Sequence, residues 1–220
     1  MIIVAIDEID FGKASAIIDN LEPEKCMIKI GSVSFNSIGN KIIYYAAKKG
    51  FDIFLDLKLH DIPNTVKKSI KGLISLPISM LTIHISGGMD MMLAAMEAVS
   101  NTKIKVFGVT ALTSLSDQDT VSIYKRNSSD QVNAMLDLAV VAGIDGVVCS
   151  PHELKLVSSR ESLLSITPGI RVIDSSDDQK RVMTPKKAID LGSDFLVIGR
   201  PITSSPNIKK SLSEIYNSIK

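Results

Sequence analysis

The stretch Phe51-Asp-Ile-Phe-Leu-Asp-Leu-Lys-Leu-His-Asp-Ile-Pro-Asn-Thr65 opens as an apolar strand and closes in charge. Asp52–Lys58 reads as a β-strand. The following Asp-Ile-Pro-Asn ends it, because proline removes a ladder donor and Asp and Asn favour turns. Pro63 then falls in the first turn of a helix predicted to reach Ser75. A strand feeding straight into a helix is the building unit of α/β folds. Within this unit Asp56, Lys58 and Asp61 form an Asp-x-Lys-x-x-Asp array. Residues i and i+2 of a strand share a face, so the spacing predicts Asp56 and Lys58 side by side, with Asp61 in the turn beyond. Ions are costly to bury unpaired, so charges crowded at a strand end must pair with one another and point to function.

The same unit recurs outward in both directions. Strands are predicted at Ile2–Asp7, Met27–Gly31, Met80–Ser86, Lys103–Leu112, Gly146–Ser150, Leu163–Pro168 and Phe195–Gly199. Helices are predicted at Phe11–Asn20, Asn36–Lys49, Met89–Val99, Ser128–Ala142, Pro151–Ser158, Thr184–Leu191 and Asn207–Ile219. Gly50, Gly143 and Gly192 fall where helix C-termini favour a left-handed residue. Eight alternations argue for a parallel sheet with crossover helices. Fitted into 220 residues, they predict a (β/α)₈ barrel, one domain spanning residues 1–220. A doubly wound open sheet is the alternative, but no Gly-x-Gly-x-x-Gly follows the first strand.

Composition bounds the function. Hydrophobic residues make up 45% and charged residues 22% of the chain, as in ordinary globular proteins. A net charge of +1 argues against a general nucleic-acid binder, so any anion site is local. The opening Met-Ile-Ile-Val-Ala-Ile-Asp lacks a basic leader region, and acids arrive at Asp7, Glu8 and Asp10; it reads as a strand rather than a signal peptide. No apolar run is long enough to cross a bilayer. Cys26 and Cys149 lie in apolar strand-like runs and are expected to be reduced, buried thiols of a cytoplasmic protein. His60, His84 and His152 are too scattered to form a metal site. The Met89–Met96 cluster is expected to pack in the core.

In a barrel, reactive groups sit where strands end. The predicted strand ends carry Asp7, Lys29, Asp56 with Lys58, His84 with Ser86, Thr113 with Ser114, Gly169 with Arg171, and Gly199 with Arg200. Barrels often bind phosphate after strands seven and eight, where arginine offers a planar fork and glycine a close backbone. The loop from Gly169 to about Arg181 is long enough to serve as a lid, and Gln179 in it could fold over a phosphate. Lys29, Asp56, Lys58 and Asp61 together carry no net formal charge. Flanking carboxylates keep a lysine protonated, and such an ammonium can donate a proton to a carbanion. A carboxylate fixed beside a substrate carboxylate repels it. The array therefore suits loss of CO₂ followed by protonation of the same carbon. A structural ion-pair network at the barrel rim is the competing reading, stronger for a lone pair than for four charges on adjacent strands.

The quoted stretch also resembles the signature of the orotidine 5′-phosphate decarboxylase family. The likeness continues in order through Asp7, Lys29 in Ile-Lys-Ile-Gly, Ser86-Gly-Gly88, Leu112-Thr-Ser114, Asp145-Gly-Val-Val-Cys-Ser150, Thr167-Pro-Gly-Ile-Arg171, Gln179 and Val197-Ile-Gly-Arg-Pro201. The resemblance implies a TIM barrel of the ribulose-phosphate-binding type, converting orotidine 5′-phosphate to UMP and CO₂ in the last step of de novo UMP synthesis. It implies no metal and no organic cofactor. Lys58 would protonate C6 of the pyrimidine, and Asp56 would lie against the substrate carboxylate. Lys29 and Asp7 would contact ribose hydroxyls. Asp61, with Thr65, would reach the ribose of a neighbouring subunit's ligand, so that a homodimer shares its sites, and Ile62 would also bind substrate. Thr113 and Ser114 would meet the base, Arg171, Gln179, Gly199 and Arg200 would hold the phosphate, and Pro168 would also contact the substrate. Leu59 departs from the Phe common in the family and is expected to affect packing alone. The nearest enzymatic competitor is a metal-dependent sugar-phosphate decarboxylase or aldolase, which wants an acidic ligand where this chain has Lys29. A non-catalytic nucleotide-phosphate sensor is the competitor from another class, and it has no use for Lys58 between carboxylates.

Overall fold

Strands buried on both faces need apolar residues at every position rather than at alternate ones. The first strand shows this: β1 (Ile2–Ile6) is buried along its whole length. The computed structural model describes residues 1–171 and 183–220. In it, β1 is followed by β2 (Cys26–Gly31), β3 (Ile53–Leu59), β4 (Met80–His84), β5 (Lys105–Val109), β6 (Gly146–Val148), β7 (Leu164–Thr167) and β8 (Phe195–Ile198). Each strand pairs in parallel with the next, and β8 pairs with β1, so the barrel closes. Closure removes the exposed edges that an open sheet would leave, and it excludes the doubly wound alternative.

The helices are α1 (Phe11–Asp19), α2 (Ser32–Ile38), α3 (Asn40–Lys48), α4 (Pro63–Leu73), α5 (Met89–Val99), α6 (Asp117–Tyr124), α7 (Ser128–Ala142), α8 (Leu154–Ser158), α9 (Pro185–Asp190), α10 (Arg200–Thr203) and α11 (Ile208–Ser218). Strand alternation sorts the core into two layers. Outward residues such as Ile2, Val4, Ile28, Ile53, Leu55 and Ile83 pack under the helices, together with Met91 and Met92 of α5. Inward residues Ile3, Met27, Phe54, Met80, Phe107 and Ile166 fill the barrel itself. There Phe107 meets Phe54 and Phe195 edge to face, with ring centroids 6.3 and 6.1 Å apart. This plug fills the lower barrel and leaves a cavity at the C-terminal ends of the strands.

Three local features depart from the sequence expectation. The helix predicted over Asn36–Lys49 is two helices, broken at Gly39, whose φ of 70° and ψ of −155° leave the helical region. Helix α6 was not foreseen. It has no apolar stripe, since Val121 and Ile123 are exposed, and its only signal is the Ser116–Asp119 capping box at its start. The short α10 begins at Arg200 directly after β8. Gly50, Gly143 and Gly192 have the positive φ values that ending a helix requires.

The inner plug predicts a large stability effect. Phe107→Ala removes a fully buried ring and should cost about 3–5 kcal/mol in urea unfolding. Leu93→Ala, on the exposed side of α5, should cost about 0.5 kcal/mol or less. Equal effects of the two would contradict the plug.

Candidate active site

The strand ends enclose a cavity of about 300 Å³, at the lower end of small-ligand sites (~300–1,000 Å³). Its floor is apolar, formed by Phe54, Val109, Val148, Ile166 and Val197. Its wall carries Asp7, Lys29, Asp56, Lys58, Thr113, Pro168, Arg171, Gly199 and Arg200. These nine predicted residues come from β2, β3 and the segments after β1, β5, β7 and β8. Separate in sequence, they meet because closure brings every strand end to one mouth.

The predicted charges pair. Lys58 Nζ donates to Asp56 Oδ2 at 2.8 Å, and Lys29 Nζ lies 3.7 Å from the same oxygen. Lys29 Nζ also donates to Asp7 Oδ1 at 3.1 Å. The side chain of Asp56 is 10% exposed, against 38% for Lys58 and 52% for Asp7, so the carboxylate at the centre is the desolvated one. Burial by itself would push the Asp56 carboxyl up. The ammoniums of Lys29 and Lys58, with hydrogen bonds from Lys58 and Thr82, outweigh burial and hold it below the usual carboxylate range.

Asp56 and Lys58 are neighbours, as expected, but not through plain strand alternation. Leu55 pairs with Leu81 and Leu59 with Ile83, so the register slips between them, and Lys58 has a φ of 51°. Repeating the two-residue period cannot foresee a bulge.

Arg171 is buried; its backbone N–H donates to the Met183 carbonyl at 3.0 Å. Arg200 is exposed at the rim. Asp61, Ile62 and Thr65 are all exposed and do not line this chain's cavity, nor does Ser114. Asp61 Oδ1 accepts the Ile62 N–H at 2.7 Å. Gln179 and the lid expected around it lie outside the described residues. His84 does not line the cavity; its ring lies 5.2 Å from that of His60. Burial holds its imidazole below the ordinary value, and His60 and Lys58 add to this. Burial also raises both thiols, Cys26 to about 12 and Cys149 further, which makes them poor nucleophiles. Among the described residues, no group of three or more His, Cys, Asp or Glu is placed to hold a metal ion. No described helix is long and apolar enough to cross a membrane.

Sequence reasoning missed three supporting residues. Gly31 faces inward beside Lys29, where a Cβ would lie 2.7 Å from Lys29 Nζ and 3.4 Å from Asp7 Oδ1; the missing side chain is the space the ammonium occupies. Its signal was a glycine two residues after the lysine, on the same strand face. Ser34 is fully buried and holds the turn that presents Asp7. Its hydroxyl accepts from the Glu8 N–H at 3.0 Å and points its proton at the carbonyls of Ile6 and Glu8, 2.8 and 2.7 Å away. Nothing local marks this serine. Thr82, two residues before His84 on the inward face of β4, donates to Asp56 Oδ1 at 2.9 Å.

The lowered Asp56 carboxyl predicts a pH signature. A carboxylate whose folded pKa lies below its unfolded value adds stability above the unfolded pKa, and that stability is lost as pH falls through the folded value. The stability of the native chain relative to Asp56→Asn should therefore be greatest above about pH 5 and shrink below about pH 4. Urea unfolding of both chains across that range measures it; a difference independent of pH would refute it.

Comparison with known proteins bears on the same geometry. Residues 1–215 match the Orotidine 5′-phosphate decarboxylase / HUMPS family. The orotidine 5′-phosphate decarboxylase of Coxiella burnetii is 45% identical over 228 aligned positions, covering 100% of this chain and 96% of that protein. That of Saccharophagus degradans is 42% identical over 220 positions, covering 97% of this chain and 92% of that protein. The crystal structure of orotidine 5′-phosphate decarboxylase from Lactobacillus acidophilus superposes with a TM-score of 0.87 at 34% identity, covering 100% of this chain and 98% of that one. With its closed barrel and its match over nearly the whole length, the chain belongs to the Orotidine 5′-phosphate decarboxylase / HUMPS family.

Proposed function

We propose that the protein decarboxylates orotidine 5′-phosphate to UMP and CO₂, with no metal or organic cofactor. One observation carries the reading: a desolvated, ionised Asp56 lies between two lysine side chains in a cavity that also receives Arg171 and Arg200. A lone structural ion pair would need neither the second lysine nor the cavity. The whole-length likeness to enzymes named for this reaction supports it.

The chemistry follows from the charges. The substrate's C6 carboxylate enters beside Asp56, whose pairing with Lys29 and Lys58 keeps it ionised. Two carboxylates at close range repel, and loss of neutral CO₂ relieves that repulsion. The C6–carboxylate bond breaks, and its electron pair stays on C6. The Lys58 ammonium, 2.8 Å from Asp56, delivers the proton that completes UMP, and solvent restores the proton to Lys58. Lys29 and Asp7 hold the ribose hydroxyls, and Thr113 with Ser114 meets the base. Arg171, Gly199 and Arg200 take the phosphate, joined by Gln179, and Pro168 lines the cavity beside them. Round the closed barrel, β7 stands four strands from β3, so the phosphate is held away from the reacting carbon. Its binding energy can support an unfavourable arrangement there.

The functional unit is a homodimer of single-domain barrels in the cytoplasm, where free thiols such as Cys26 and Cys149 stay reduced. Asp61, Ile62 and Thr65, exposed and outside the lining of their own cavity, complete the site of the second chain.

Two experiments test this. Purified protein mixed with orotidine 5′-phosphate should convert the absorbance spectrum of the substrate into that of UMP, in the presence or absence of EDTA, and Lys58→Ala should slow this by about 10³-fold or more. No change at high protein concentration would sink the proposal, and loss of activity on chelation would favour a metal-dependent sugar-phosphate enzyme. In a mixture, Asp61→Ala and Lys58→Ala chains should restore activity that neither has alone, because each mixed dimer holds one site with both native residues. Absence of that rescue would confine each site to one chain.

A further inference from the structure

Three residues of β3, namely Asp56, Leu57 and Lys58, lie between the paired positions Leu55–Leu81 and Leu59–Ile83, and a single β4 residue, Thr82, faces them. An excess of residues on one strand leaves main-chain groups without ladder partners and re-aims the side chains. Thr82 is fully buried, and its hydroxyl meets both ends of the excess. It accepts the Lys58 N–H at 2.8 Å and donates its proton to Asp56 Oδ1 at 2.9 Å. The directions are forced, since a backbone N–H can only donate, an ionised carboxylate can only accept, and a hydroxyl has one proton. Lys58 itself has a φ of 51°, a conformation a lysine keeps only where its surroundings hold it.

We propose that Thr82 is a positioning residue for the reaction: its hydroxyl pins the β3 bulge and so sets the Lys58 ammonium against the Asp56 carboxylate. The inference rests on the decarboxylase reading above. Thr82 does not line the cavity, so it acts through Asp56 and Lys58 rather than on substrate. A threonine serving packing alone would need one partner for its hydroxyl. Here the two partners are the side chain of one central residue and the main chain of the other. Without the hydroxyl, Asp56 Oδ1 loses its donor, the Lys58 N–H loses its acceptor, and β3 is free to change its bulge. Asp56 Oδ2, held by Lys58 and near Lys29, keeps its partners, so the carboxylate stays in the site while its alignment changes.

The test compares orotidine 5′-phosphate turnover and UMP affinity, the latter by calorimetry, in the native chain and in Thr82→Val, Thr82→Ala and Thr82→Ser. Misplacing a reacting group by about 1 Å costs about 10²-fold, so Val and Ala should lower kcat by about that factor. UMP affinity should stay within about threefold, because the lost interaction concerns the reacting groups. Loss of a donor to the carboxylate should also move the acid limb of the kcat profile to higher pH in Val and Ala. Ser keeps the hydroxyl and should retain native kcat and the native profile. A folded Val or Ala variant with native kcat would overturn the proposal, as would a Ser variant that falls as far as Val, or a loss confined to KM. If Val does not fold, Ala and Ser decide between these outcomes. A native chain inert toward orotidine 5′-phosphate would instead refute the functional reading, a different result from an active native chain insensitive to the hydroxyl.

Discussion

A buried carboxylate must be compensated on both oxygens, and the mouth of this barrel is arranged around that requirement. Asp56 Oδ1 takes the Thr82 hydroxyl, while Oδ2 takes Lys58 and faces Lys29. Lys29 in turn is held by Asp7, whose turn is fixed by Ser34. Removing one partner of such a network leaves an uncompensated ion, which costs more than an absent network would. The same desolvation that makes the arrangement costly makes it useful, because electrostatic interactions strengthen where water is excluded. Four consecutive strands, β1 to β4, and the turn after β1 contribute to it, and their pairing, with the slip between β3 and β4, is what keeps the charges within reach of one another.

Stability and chemistry are separated along the barrel axis. The lower interior is filled by Ile3, Met27, Phe54, Met80, Phe107 and Ile166, which contribute burial and no polar atom. One step up each strand, the inward positions become Ala5, Lys29, Asp56, Thr82, Val109 and Val197, and the next step reaches Asp7, Gly31 and Gly199. Phe54 and Ile166 belong to both layers, as parts of the plug and of the cavity floor. The apolar plug therefore supports the charged layer directly and limits the water beneath it.

Much of this was legible in the sequence because it is written in local patterns. Parallel strands covered on both faces are continuously apolar, so their runs and the glycines ending the helices read directly. Asp56, Lys58, Lys29, Arg171 and Arg200 stood out because charge at the end of an apolar run is conspicuous. Thr82, Ser34 and Gly31 did not. A buried threonine looks like an ordinary strand residue, a serine at a helix start looks like a turn, and the value of Gly31 is a space that exists only once Lys29 folds over it. Helix α6 was missed for a similar reason: its apolar residues are few and exposed, so no periodicity marks it.

The sequence by itself determined the class of fold, the order of its units and the identity of the charged groups, since each depends on near neighbours in the chain. It also placed Asp56 and Lys58 together, though by the wrong geometry. Only the tertiary structure decided that β3 bulges, that Lys58 takes a positive φ, and that one hydroxyl from β4 bonds both residues. The physical reason is range. Patterning reports which face a residue prefers, whereas a bulge is set by how two strands with unequal numbers of residues share their hydrogen bonds, and that sharing exists only after they pair.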